Sequence, residues 1–118
     1  MRKKRIYIAG PMRGIEGCNY PAFVRASDDF LKYPELREAW EVVNPVEISE
    51  GFGSANELAN DPKLLKRLMD LELAAVKSCD AILLLCGWEK SEGARGELAV
   101  ALANNLEIYT QESGVLIR

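Results

Sequence analysis

Short strands alternating with amphipathic helices predict an α/β protein, and three observations in the sequence carry that prediction. β-rich apolar runs occur at four places, the first two closed by Gly10-Pro11 and Asn44-Pro45. Between these runs lie stretches with helical spacing, long enough to cross from one parallel strand to the next. One run, Ala81-Ile82-Leu83-Leu84-Leu85, is apolar at every position, as suits a central parallel strand covered on both faces. Together they predict a Rossmann-like (flavodoxin-like) three-layer sandwich with a four- to five-stranded parallel sheet. The 118 residues fit a single domain over 1–118.

The first strand is Arg5-Ile6-Tyr7-Ile8-Ala9, closed by the turn signal Gly10-Pro11. A helix follows over 21–32, with Phe23, Ala26, Phe30 and Leu31 at helical spacing. It ends at Tyr33-Pro34, because the residue before a proline is pushed out of the helical region. Trp40-Glu41-Val42-Val43 is the second strand, stopped by Asn44-Pro45. Residues 47–60 read as a long loop rich in Gly, Ser, Asn and acidic residues, of the kind that lids and binding elements use. Ser54 with Glu57 could box one helical turn inside it. Asp61 as N-cap and Pro62 at the first helical position start the second helix, with Leu64, Leu68, Leu71 and Ala75 as its buried stripe. The third strand is the apolar run 81–85, followed by a connecting loop over 86–93. The third helix spans 94–104, with Leu98, Ala101 and Leu102 turned inward, and Asn104-Asn105 stops it. Leu106-Glu107-Ile108-Tyr109 is the fourth strand, and Val115-Leu116-Ile117 is a fifth strand or a piece that packs on another subunit.

Composition narrows the chemistry. The chain has no histidine, which removes Ser-His-Asp and Cys-His catalysis, imidazole-built zinc sites and any histidine base. Chemistry at neutral pH must then use carboxylates, Tyr, Cys, Lys or Arg. The three cysteines, Cys18, Cys79 and Cys86, are odd in number and lack C-x-x-C spacing, so they read as reduced thiols of a cytoplasmic protein. Fifteen basic against 18 acidic residues argue against a nucleic acid polymer as partner. The run Arg2-Lys3-Lys4-Arg5 is too short to change that and reads as a solvated terminus. No apolar run approaches the roughly 18 residues of a membrane span, and nothing resembles a signal peptide.

In parallel sheets of this kind ligands bind beyond the carboxyl ends of the strands. Three loops satisfy that rule: 10–17, 45–60 and 86–93. In the first, Gly10 and Gly14 let backbone amides approach a ligand, and Arg13 could clamp an anion or stand as a surface arginine. The loop fits neither G-x-G-x-x-G nor the Walker pattern. In the third, Ser91 and Gly93 lie where a helix starts, so they could favour an anion, or Ser91 could simply cap. Glu97 is a carboxylate in a helix otherwise made of Leu, Ala and Val, and reads either as functional or as a solvated, dipole-favoured glutamate. Tyr7 reads as a core or a site tyrosine, and Trp88 as a base platform or a rim cover. On the second helix Glu72 lies about 70° from the stripe centre and Asp70 about 130°, at 100° per residue. Either could be a solvated charge.

Four segments together resemble the nucleoside 2-deoxyribosyltransferase superfamily, which includes small 2'-deoxynucleoside 5'-phosphate N-hydrolases. They are IYIAGPMRG at 6–14, NYPAF at 19–23, VVNPVE at 42–47 and CDAILLLCGWEKSEGARGELAVALA at 79–103. The likeness is to an uncharacterised, phage- and bacteria-associated branch. It implies Glu97 as a nucleophile that attacks the anomeric carbon and expels the base, with Tyr7 orienting it. It also implies a carboxyl that protonates the departing base. The superfamily usually has an aspartate eight residues before the position of Asp80, where this chain has Glu72; Asp70 fits only after a shift of two. Asp80 itself reads as structural. Six residues before the nucleophile the transferases carry an acidic residue and the nucleotide hydrolases a serine, here Ser91, which implies a nucleoside 5'-monophosphate as substrate. Gly10, Met12, Arg13, Ser91 and Gly93 are then expected to hold sugar and phosphate, with Trp88 lining the base pocket. The resemblance implies no metal or cofactor, and a homodimer or larger homo-oligomer. The alternative is a nucleotide-binding sensor or regulatory module that has lost the chemistry.

Overall fold

Within β1 (Lys4–Ala9) successive side chains point to opposite faces of the sheet, and that alternation separates the molecule into two cores. The computed structural model describes residues 3–12, 19–51, 60–112 and 115–117. β1 lies between β2 (Trp40–Val43) and β3 (Ala81–Leu84), and the sheet continues through β4 (Glu107–Glu112) to β5 (Val115–Ile117). The first four strands are all parallel, in the order β2-β1-β3-β4. Tyr7 sits between Val43 and Ile82 in that register. This is the α/β sandwich the periodicity predicts.

On one face Ile6, Ile8, Ala81, Leu83 and Leu85 pack against Phe23, Ala26 and Phe30 of α1 (Tyr20–Leu31). On the other, Tyr7, Ala9, Ile82 and Leu84 pack against Val76 of α4 (Pro62–Lys77) and Ala94 and Ala101 of α5 (Glu92–Ala103). Because β1 pairs with both β2 and β3, the chain first leaves it one way and later returns to its other side. The carboxyl ends of β1 and β3 therefore form the switch point at which such folds open a crevice.

Several elements depart from the sequence-based expectation. Pro34 ends α1 and also starts α2 (Pro34–Ala39), and Pro45 likewise starts α3 (Pro45–Glu50), which runs into the expected 47–60 loop. A proline stops the helix before it and suits the first turn of the one after it. The Ser54–Glu57 box lies outside the described residues. Leu71 is 49% exposed and leaves the expected stripe. The inward line of α4 is Leu68, Glu72 and Val76, spaced by four, and Leu71 stands one residue, or about 100°, off that line. Leu102 is likewise 59% exposed, because Ala94, Glu97 and Ala101 take the inward face of α5. That helix ends with Asn105 at φ 60°, Leu106 N donating to Ala101 O (3.0 Å) and Asn105 N donating to Leu102 O (3.2 Å), the paired bonds of a Schellman stop. The fifth strand pairs antiparallel to β4, not parallel. Only residues 113–114 separate the two, enough for a hairpin and far too few for a parallel crossover.

Candidate active site

Tyr7 is fully buried, on the α4/α5 side of β1, and its hydroxyl donates to Oε2 of Glu97. Glu97 is only 6% exposed, the one buried carboxylate among the described residues. It reaches that position because α5 meets the sheet through small residues, Ala94 one turn before and Ala101 one turn after. Glu72 enters from the neighbouring helix. It is half-buried on the line between Leu68 and Val76, at the centre of the inward face of α4 and not at its margin. Burial first, then the Glu97 carboxylate, then the Glu72 carboxylate hold Tyr7 well above the ordinary tyrosine value of 10.0. Two carboxylates from two helices thus converge on one phenol. Asp70 points elsewhere: it is exposed, 160° round α4 from Glu72 at 100° per residue.

Gly10 follows β1 and is buried against β3. A Cβ there would lie 2.9 Å from Leu85 Cβ, so the residue is required for close packing at the switch point, whatever it does for a ligand. Leu85 N donates to Ala9 O (2.8 Å) and continues the β1–β3 contact to the strand ends. Met12 lies on the other side of the sheet, its side chain packed on the α1 core. Arg13 lies outside the described residues. Ser91 is the N-cap of α5, its Oγ accepting from Ala94 N (3.1 Å), which leaves the hydroxyl hydrogen to donate elsewhere. Gly93 is half-buried in the first turn, where helix geometry leaves amides without intrahelical acceptors. Trp88 stands in a 3₁₀ turn (Trp88–Lys90) entered through Gly87 at φ 89°, and packs partly on the Tyr7 side of the core.

Asp80 is structural in its contacts. Its Oδ2 accepts from Arg5 N (2.8 Å) and its own N donates to Arg5 O (2.8 Å), at the amino ends of β1 and β3, the opposite edge from Gly10. Among the described residues no group of three or more His, Cys, Asp or Glu is placed to hold a metal ion, and no helix is long and apolar enough to cross a membrane.

Sequence reasoning missed the polar contacts beside this site on the α1 face. Asn44 and Ser49 are buried and bonded, whereas in the sequence Asn44-Pro45 reads only as a strand stop. The available signal was that Asn before Pro is also a helix N-cap pattern.

A family model described as a domain of unknown function (DUF4406) matches residues 4–110. The chain belongs to that family. No curated protein matches it.

Proposed function

We propose that this member of the DUF4406 family is an N-glycosidase that cleaves the base–sugar bond of a (deoxy)nucleoside 5'-monophosphate, or exchanges its base, through a glycosyl ester on Glu97. The observation that carries this reading is the buried Tyr7–Glu97 hydrogen bond with Glu72 facing it from a second helix. A phenol that stays protonated donates to Glu97, which favours the ionised carboxylate and fixes the oxygen that attacks. Glu97 bonds to the anomeric carbon as the carbon–nitrogen bond breaks, and the Glu72 carboxyl gives its proton to the departing base. Glu72, now ionised, takes a proton from water as that water attacks the same carbon and frees Glu97. Two displacements at one carbon replace one difficult displacement. Glu72 carries the acid/base role in preference to Asp70, because Glu72 lies on the inward line and Asp70 is exposed.

The Ser91 hydroxyl and the first amides of α5, at the end of the helix whose dipole favours an anion, are the phosphate-side groups of this reading, and Arg13 is assigned with them from the sequence. The substrate is a small nucleotide, with no metal or cofactor, in a cytoplasmic protein that assembles as a homodimer or larger homo-oligomer. The test incubates the protein with a panel of nucleoside 5'-monophosphates and follows free base. Release by wild type and none by Glu97→Ala is the expected result; no release by wild type, or equal release by both, overturns the catalytic assignment. Tight binding without release over hours would favour a nucleotide-binding sensor, a reading supported by Glu72 standing where the superfamily has the shorter aspartate.

A further inference from the structure

Arg5 and Tyr7 stand two residues apart on β1 and so share one side of the pleat, the side that α4 and α5 cover. Arg5 ties the turn between α4 and β3 to its own strand three times. Its Nη1 donates to Ser78 Oγ (2.6 Å), its N donates to Asp80 Oδ2 (2.8 Å), and its O accepts from Asp80 N (2.8 Å). Ser78 Oγ in turn donates to Ala75 O (2.7 Å), so this hydroxyl joins the guanidinium to the last turn of α4. The helix dipole also favours a cation at that end. Between Ser78 and Asp80, Cys79 is buried in the same core as Tyr7. Apolar packing holds α4 thinly, with only Leu68 and Val76 buried along its 16 residues. Measured from the turn, Glu72 lies six residues back along the helix, about 9 Å at 1.5 Å per residue. Tyr7 lies two residues along the strand from Arg5, about 7 Å in the same direction, toward the carboxyl edge. A clamp at the amino edge thus sets the height at which Glu72 meets the Tyr7–Glu97 pair.

We propose that Arg5 and Ser78 are positioning residues, whose bond fixes where Glu72 stands against the Tyr7–Glu97 pair and so governs delivery of its proton to the departing base. The proton delivery rests on the functional reading above; the placement of Glu72 does not. An acid must lie within hydrogen-bond reach of the atom it protonates, so a slide of about 1 Å in α4 costs rate without moving α5. Ser78→Ala, Arg5→Met and the double variant test this at a temperature where all are folded. Ser78→Thr, which keeps the hydroxyl, is the conservative control. The first measurement needs no substrate: the carbon-13 resonance of Tyr7 Cζ, assigned by its loss in Tyr7→Phe, is followed to alkaline pH. Glu97, Glu72 and Cys79 are the titratable groups that act on Tyr7, and all three favour its protonated form. Glu72→Gln should lower the pH of ionisation by about 1 and each clamp variant by about 0.5. The double variant should add nothing, since either change breaks the same bond. Losing the Arg5 cation acts directly in the opposite sense, so a fall reports the withdrawal of Glu72. Ionisation of the clamp variants at the wild-type pH, or of none of the proteins before the fold is lost, overturns the proposal. The second measurement follows base release from the four common 2'-deoxynucleoside 5'-monophosphates. In Ser78→Ala and Arg5→Met kcat is expected to fall about tenfold with KM within about twofold, and Ser78→Thr to match wild type. An unchanged kcat, or a loss that Ser78→Thr shares, overturns the proposal. Absence of base release by wild type overturns the catalytic reading alone, and the Tyr7 titration still decides whether the clamp holds Glu72.

Discussion

On one side of β1, Ile6 and Ile8 meet Phe23, Ala26 and Phe30, with Trp40 crossing Phe30 edge-on at 6.2 Å and Tyr109 at 6.3 Å. On the other, Tyr7 meets a carboxylate, and the helices that cover it supply alanines where the first side has phenylalanines. The first face is filled by large apolar groups that make many contacts and need no partners. The second brings its helix close through small residues so that one long polar side chain, Glu97, can reach the strand. Neighbouring residues of a single strand therefore serve two purposes, because the pleat sends them to opposite layers. Large apolar packing and the buried carboxylate are thus separated by face, and on the proposed function so are stability and chemistry.

That separation can be broken, and the largest effect tests it first. Glu97→Gln keeps size and hydrogen-bond capacity but not nucleophilicity, so base release should fall about a thousandfold or more while the thermal midpoint changes little. Phe23→Ala does the reverse. It should cost about 3–5 kcal/mol in urea unfolding, with base release per folded molecule unchanged within about twofold. Equal damage to both readouts by either variant would dissolve the distinction between the faces.

Tyr7→Phe falls between them. Losing the hydroxyl leaves Glu97 buried with one donor fewer, at a cost of about 1–3 kcal/mol, and slows base release about 10- to 100-fold. Its pH dependence sharpens the comparison. The folded state holds the Tyr7 proton more tightly than the unfolded chain does, so the stability it contributes is complete below pH 10.0 and is lost as pH rises beyond it. The phenylalanine variant should accordingly show a flatter alkaline limb in denaturant titrations above pH 10.0. Burial also raises the Cys79 thiol from 9.0, with the same sign, so a residual slope should persist in that variant. The smallest effect belongs to Asp70→Asn, on the exposed side of α4, which should shift stability within about 0.5 kcal/mol and leave base release intact. Loss of activity in that variant would move the acid/base role from Glu72 to Asp70.

The apolar run 81–85 and the Asp61-Pro62 cap were readable because each signal is local: a strand buried on both faces must be apolar throughout, and an N-cap needs its own side chain. Asp61 Oδ1 does accept from Lys63 N (3.1 Å) and Leu64 N (3.2 Å). The helix faces were less readable. Counting leucines puts Leu71 and Leu102 inward, whereas the packed lines run through Glu72 and Glu97, because an inward-facing carboxylate breaks the rule that apolar residues mark the core. Periodicity alone would class both glutamates as surface charges.

The order of the first four strands and the three long helices, and the absence of histidine chemistry, were determined by the sequence itself, since propensity, apolar spacing and composition act over a few neighbouring residues. That Tyr7 meets Glu97 across 90 positions, that Glu72 faces them while Asp70 turns away, and that residues 19–23 lock onto 44–49 was decided only when the helices docked. Contacts between distant segments depend on which face of each helix wins the burial contest, and that contest has no local record in the chain.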